Sequence, residues 1–533
     1  MNNRNYNIFF HTHTISGIFI SALLYVIFFA GSFSFFKSEI NNWEANTLEV
    51  KNSTQDIRFQ SILDSLNREQ DLFSRDISFY LPEKNNKIGV QFGPKKDTIS
   101  AANADQQKKE KKGRRRGDST FFILDNQTNK TSTYMDSYSL GEFLYRLHFF
   151  AQIPYPYGYH LAGFVSFIFL FAIITGVLLH WNKIVSNFYI FRPWSKLKTL
   201  WTDAHTALGI IGLPYQFIFA VTGAYFMINI VFTAPVTQFL YEGNRDAMFA
   251  DMGYTDPKAY PFENTPLGNE FNIVTFLEKT EANWSNSKVT RVSLQNYGDQ
   301  SMTVTVEGQV NNSTKLTGNG KVVYQVNTGK ILEEKKPMDD ATYSDVVKSL
   351  LYKLHFGNYG GYALKIMYFL VGIASCFVII SGVMIWLIAR DRKNIPVKKR
   401  IFNEWLVNIY LAVCLSMYPM TALIFIAVKV YHPAGQDFIY RFYFIGWLLL
   451  SLYLIVRKNN YITTRDTLLL GSVFGFLVPI ANGIMTDNWL WISYIKGYND
   501  LLFIDLLWLV ISVITFISWL LMVRKHKTKS LIK

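Results

Sequence analysis

Residues 13–33 read HTISGIFISALLYVIFFAGSF, and residues 205–225 read HTALGIIGLPYQFIFAVTGAY. The two stretches align without a gap, His13 on His205, Gly17 on Gly209 and Gly31 on Gly223. Each is apolar for about 20 residues, enough to cross a hydrocarbon core of about 30 Å. Each also opens on an imidazole. Ionisable groups are costly in a membrane segment, so their presence marks a candidate functional site.

The duplication continues outward from these segments. EFLYRLHFF around His148 matches SLLYKLHFG around His355, and ITGVLLHW from Ile174 matches ISGVMIW from Ile380. Each half of the chain is therefore a span, a polar insert, a boundary histidine and a second span. With both halves starting on the same side, they are parallel repeats about a pseudo-twofold axis along the membrane normal. Equivalent residues then lie at equal depth. His13 is expected to face His205 at one surface, and His148 to face His355 at the other.

Composition agrees with a multispanning protein. Half of the 533 residues are apolar and 16% are aromatic, with a formal net charge of +14. Such a basic excess usually sits in cytoplasmic loops, and no basic-aromatic groove pattern points to nucleic acid. Cys376 and Cys414 both lie in apolar runs, which excludes a disulfide framework and a thiolate metal site.

Eight runs qualify as spans: 8–36, 158–181, 204–232, 361–388, 404–430, 438–456, 466–485 and 501–523. The seventh is interrupted by Gly471, Gly475 and Pro479. The first is too long for a signal-peptide core and lacks a small-residue cleavage pattern, so it is expected to remain as an anchor. Basic segments at 182–198, 390–400, 457–465 and 524–533 fall at alternate connections. They place both termini in the cytoplasm and both inserts outside.

The expected fold is a mainly α, polytopic helical bundle of about eight spans, with duplicated span–lobe–span halves and two extracytoplasmic α+β lobes. The segments are 1–36 (first span), 37–147 (first lobe), 148–182 (second span), 183–203 (cytoplasmic loop), 204–234 (third span), 235–354 (second lobe), 355–390 (fourth span) and 391–533 (a four-span module). Within the lobes, IRFQSILDSL and FNIVTFLEKT read as helices; DISFYL, KIGVQF, VTRVSL and SMTVTVEG read as strands. The run QQKKEKKGRRRGD at 106–118 reads as a solvated hairpin tip.

Two opposed imidazoles in a helical bundle can supply both axial ligands of a haem iron. The candidate ligands are His13 with His205 and His148 with His355. Gly17 and Gly209, one turn beyond their histidines on the same face, would let a flat macrocycle approach the backbone. His180 is a contender for an inner ligand, although Trp386 stands at the equivalent place in the second half; His160 is a one-sided candidate near the outer face. His11 reads as interfacial, and His432 and His526 as loop and tail residues. Zinc would want three or four clustered ligands, and no HxxxH or HExxH spacing is present. Nucleophile-elbow, Walker and dinucleotide motifs are also lacking.

The His-x-x-x-Gly openings, the Leu-His pairs and the Thr/Ser-Gly closings around PepSY-like lobes resemble the PepSY-associated transmembrane proteins, over residues 1 to about 390. That family includes haem-containing siderophore reductases of the bacterial inner membrane. The resemblance implies two b-type haems on His13, His205, His148 and His355, with His180 as a contender. It further implies electron flow from the cytoplasmic side to a ferric siderophore outside. The donor would be a quinol or a separate reductase, since no nucleotide site is recognisable. Tyr155, Tyr157, Tyr159 and Tyr359 are docking candidates, or equally an interfacial aromatic belt. Asp437, Asp505, Asn408 and Asn482 in the last four spans carry no spacing that specifies chemistry. Two other classes remain open at this point, a membrane scaffold or sensor that binds a partner through its lobes and a permease.

Overall fold

The computed structural model describes residues 2–46, 57–81, 87–96, 120–126, 130–189, 192, 195, 197–251, 260–268, 270–311, 315–339 and 341–531. The basic run at 106–118 lies outside them. Among the described residues, eight helices are long and apolar enough to cross a membrane: Asn3–Ser34, Tyr157–His180, Lys198–Asn229, Gly361–Arg390, Val397–Val430, Gly435–Val456, Asn460–Thr486 and Asn499–His526. They are numbered here as the first to the eighth span. The chain is thus a polytopic helical membrane protein. Five shorter helices are labelled α1 (Lys37–Ala45), α2 (Phe59–Glu69), α3 (Leu140–Leu147), α4 (Ile273–Asn283) and α5 (Tyr343–Phe356).

The chain divides into two compact units. The helical unit contains residues 1–48, 138–234 and 354–533; the second unit contains 49–137 and 235–353. Helices α1 and α3 therefore belong with the spans, although their sequences are polar enough to read as parts of the first insert.

Within the helical unit, the first span packs against both the second and the fourth. Phe28 meets Phe169 with ring centres 5.4 Å apart, and Phe33 meets Phe369 at 5.5 Å. Two spans depart from straight helices. The third is kinked at Ile228, whose φ of −127° is not helical, and the fifth breaks at Ser416 into Val397–Leu415 and Met417–Val430. The interrupted seventh span is one continuous helix despite Pro479. Its glycines admit close neighbours, since a side chain at Gly471 would strike the Tyr418 ring and one at Gly475 would strike Ser512. Small residues serve close helix packing where lipid supplies no hydrophobic drive between helices.

The second unit is one antiparallel sheet of eight strands in the order β4-β3-β2-β1-β5-β6-β7-β8. Its strands are β1 (Ile77–Tyr80), β2 (Lys87–Phe92), β3 (Thr120–Asp125), β4 (Thr131–Thr133), β5 (Ser287–Gln295), β6 (Thr303–Val310), β7 (Asn319–Gln325) and β8 (Ile331–Lys335). Each insert contributes a helix followed by a four-stranded meander, the α+β pattern its sequence predicts. The two meanders are not separate lobes, however. They join through β1 and β5, with Ile77 opposite Leu294 and Phe79 opposite Val292. Alternate residues of these strands face a core shared with Phe59, Ile62, Leu63 and Leu66 of α2 and Ile273 and Leu277 of α4. A lone four-stranded meander would leave β1 or β5 as an exposed, apolar edge, and pairing removes both edges at once.

Candidate functional site

His13 lies in the first span and His205 in the third, and their rings are 6.1 Å apart centre to centre, inclined at 76°. His13 Nδ1 donates to the carbonyl of Ala172 at 2.9 Å, with Thr175 Oγ1 3.5 Å away. His205 Nδ1 donates to the carbonyl of Val378 at 2.9 Å, with Ser381 Oγ at 3.1 Å. The repeated Thr/Ser-Gly closing of the second and fourth spans explains this correspondence. The hydroxyl residue sits three positions after the accepting carbonyl, and the following glycine leaves room for the ring. A Cβ at Gly176 would stand 3.1 Å from His13 Cε1, and one at Gly382 would stand 3.2 Å from His205 Cε1.

His148 caps the C-terminal end of α3, and His355 lies in the last turn of α5. Their ring centres are 5.9 Å apart. His148 Nδ1 donates to the carbonyl of Ile27 at 2.7 Å. Gly31, one turn further along the first span, is required there, because a Cβ would fall 2.5 Å from that nitrogen. His355 Nδ1 is 2.7 Å from Thr222 Oγ1, whose own hydrogen goes to the carbonyl of Ile218. The threonine oxygen therefore accepts from the imidazole. Phe226 and Phe219 pack edge-on against His355 at 5.3 and 6.0 Å.

All four rings share one electrostatic consequence. With Nδ1 committed as a donor, the neutral ring presents Nε2 as a bare lone pair. Histidines that ligate metals are commonly fixed in this way, by donation from the other nitrogen to a carbonyl or a polar group. Two imidazoles bound to one metal at about 2 Å each have ring centres roughly 6 Å apart. Both pairs match that spacing. An edge-to-face aromatic pair also prefers 4.5–7 Å, so the tied Nδ1 atoms are the more discriminating feature.

Further observations fit a flat, acidic macrocycle. Beside Gly17 and Gly209 no atom beyond the chain neighbours and the helix's own backbone lies within 4 Å of where a Cβ would be. Gln152, four residues after His148, has both amide atoms buried without a hydrogen-bond partner among the described residues. The indole nitrogen of Trp201, four residues before His205, is in the same condition. Buried polar atoms normally have partners, and a carboxylate such as a haem propionate, which only accepts, would suit Gln152 Nε2 and Trp201 Nε1 but not Gln152 Oε1. Among the described residues no three His, Cys, Asp or Glu side chains gather at one place.

The other sequence candidates fall elsewhere. His180 ends the second span, one turn beyond Gly176. His160 Nδ1 donates to the carbonyl of Met227 at 3.1 Å, beside the kink of the third span. The described ring pairs join neither of them to another imidazole. His11 is exposed, and His526 stacks on Tyr461 with ring centres 4.0 Å apart. Tyr155 and Tyr157 are exposed, whereas Tyr159 packs on Phe149 and Tyr359 points its hydroxyl to that of Tyr368. Asp437 is an exposed partner of Arg441.

Sequence reasoning singled out Asp505 and Asn482 but not the buried polar network they join. Asp505 accepts from Trp43 Nε1 and Asn482 Nδ2, both at 2.8 Å, and Asp500 accepts from Asn42 Nδ2 at 2.7 Å. Lys429 donates to the carbonyl of Trp43 and lies over its ring. Its signal was a single lysine in TALIFIAVKV and a single aspartate in LLFIDLLW.

The second unit has its own buried carboxylate. Burial alone would raise the Asp299 carboxyl, but hydrogen bonds from Ser301, Thr265 and Glu263 more than offset this and hold it below the ordinary carboxylate value.

Comparison with known proteins agrees with the architecture. An uncharacterized protein of Pseudomonas aeruginosa is 24% identical over 259 residues, which covers 46% of this chain and 63% of that protein. The match thus spans less than two thirds of the relative's length. The family model for the PepSY-associated TM region matches residues 10–389, from the start of the first span to the end of the fourth. With its four histidine-bearing repeat elements inside that range, the chain belongs to the PepSY-associated transmembrane family.

Proposed function

We propose that this protein is a transmembrane diheme reductase that carries electrons from the cytoplasmic side of the bacterial inner membrane to a ferric-siderophore-type acceptor outside. The observation that carries the reading is the two opposed histidine pairs, with every Nδ1 tied and every Nε2 left as a free lone pair. Haem b held between such imidazoles would supply one-electron transfer.

The chain's residues would act as follows. His13 and His205 hold one group, His148 and His355 the other. From His13 to Ile27 the first span advances 14 residues, about 21 Å, so the two sites lie at different depths. Phe28, the residue after Ile27, and Phe219, which touches His355, lie 6.3 Å apart beside the second pair. A quinol or separate reductase would deliver electrons at the first pair; each quinol releases two electrons and two protons, and each electron reduces one ferric ion to ferrous. Ferrous iron binds hard oxygen chelators less tightly, which frees the metal. The alternate basic loops support this orientation, with both termini cytoplasmic and the sheet outside.

The test is the dithionite-reduced minus oxidised absorption spectrum of the purified chain, with haem counted per chain. A b-type spectrum at about two haems per chain is expected. His205→Ala should remove one haem and His355→Ala the other, each abolishing reduction of an external ferric chelate. No haem in protein produced with ample haem supply would overturn the reading.

A further inference from the structure

The last four spans lie outside the family match, and their inner surface leads to His148. Helix α3 has only eight residues, too few to hold a helix by itself, so its position is set by what it touches. Its N-cap is Ser139, whose hydroxyl accepts from Glu142 N at 3.3 Å. The next free donor, Leu140 N, goes to a carboxylate from another helix, Glu44 of α1, at 2.7 Å. Ser139 Oγ donates to Asn41 Oδ1 at 2.7 Å, and Lys37 pairs with Glu142. Helix α1 thus fixes the start of α3, and the other end of α3 is His148.

Helix α1 is in turn locked to the C-terminal spans. Trp43 donates to Asp505 at 2.8 Å, Asn42 to Asp500 at 2.7 Å, and Lys429 to the carbonyl of Trp43. Asp505 and Lys429 are almost fully buried. Breaking such a pairing strands buried charge, so the joint resists sliding. From the other side, the Phe143 ring of α3 sits 4.9 Å from Tyr443 of the sixth span. In the second repeat α5 is held differently, by its own half: Tyr368 of the fourth span donates to the carbonyl of Leu354 at 2.9 Å.

We infer that the C-terminal four-span module is a buttress for the His148 side of the outer histidine pair, with Glu44 the positioning residue that transmits it to α3. The module would then set the properties of one haem and not of the other. This rests on the reductase reading above.

The test compares Glu44→Leu and Glu44→Gln in the purified full chain, by redox titration and by the electron paramagnetic resonance of the ferric haems. The outer haem is identified as the one missing from His148→Ala. In Glu44→Leu the midpoint potential and g-values of the outer haem should shift, with haem content falling towards half, while the inner haem stays as in the wild type. Glutamine keeps an oxygen acceptor for Leu140 N, so Glu44→Gln should restore the outer signal. Ser139→Ala, which cuts the link to Asn41, should shift the same haem by less. Unchanged signals in Glu44→Leu and Ser139→Ala would overturn the inference, as would equal shifts of both haems. A wild-type chain without haem would instead bring down the reductase reading, and this inference with it, before any variant is made.

Discussion

The segments around His148 and His355 are among the most alike in the two halves of the sequence, and the structure uses them differently. His148 donates to a backbone carbonyl, that of Ile27, in a niche opened by Gly31. His355 donates to a side chain, Thr222, and the glycine equivalent to Gly31 faces another residue: a Cβ at Gly223 would meet Ser166 Oγ at 2.7 Å. The His13–His205 pair shows no such divergence, since each ring has an equivalent carbonyl, hydroxyl and glycine around it. A duplicated chain can keep one site symmetric while the other becomes two unlike halves. The unlike site is the one beside α1 and α3.

The largest test of this difference is Thr222→Val. It removes the acceptor of His355 Nδ1 at nearly constant volume, and loss of such an orienting partner typically costs 10–100-fold in metal affinity. Dissociation of the haem proposed for the His148–His355 pair, measured by transfer to apomyoglobin, should accelerate by about that factor. His148 should be immune to any comparable substitution, because its acceptor is backbone.

Exchanging the paired glycines sharpens the contrast. Gly31→Ala drives a methyl into His148 and should cost about 1–3 kcal/mol of stability, with a shift in the outer haem spectrum. Gly223→Ala meets the Ser166 hydroxyl instead, so thermal unfolding should change without that spectral shift. Equal spectral effects from the two would show that the outer site is symmetric after all.

The smallest effect on the proposed electron transfer is expected in the sheet. Asp299 is held below its ordinary value, so its contribution to stability is fully present above the unfolded-state carboxylate pKa and is lost as pH falls through the folded value. Unfolding of the sheet, followed by Trp284 fluorescence in the full chain, should become easier as acid is added. Asp299→Asn should flatten that dependence and leave the haem spectrum alone.

Much of this was legible in the residues. Apolar length gives the eight spans, period-two alternation gives β2, β5 and β6, and the repeat brings His13 to His205 and His148 to His355. The parts that stayed hidden depend on contacts between distant segments. Nothing in EFLYRLHFF and SLLYKLHFG distinguishes a carbonyl from a hydroxyl as the acceptor. The edge that β1 offers to β5 carries no local signature, because both strands alternate as any half-buried strand does. The polarity of α1 assigned it to the first insert, although its Trp43 and Asn42 are addressed to Asp505 and Asp500 in the eighth span. The unkinked seventh span was obscured by glycines whose role is to receive Tyr418 and Ser512.

The seam between β1 and β5 also bears on how the molecule is made. Ser78 pairs with Ser293, and between them in the chain lie the second and third spans. During synthesis the first meander is complete long before its partner strand leaves the ribosome, with β1 an unpaired edge throughout that interval. At about 5–20 residues per second, the wait lasts on the order of 10–40 s. The first half of the chain, stopped before β5, would be left with a sticky edge. Duplication therefore tied the two halves into one biogenesis, in which neither copy can finish without the other.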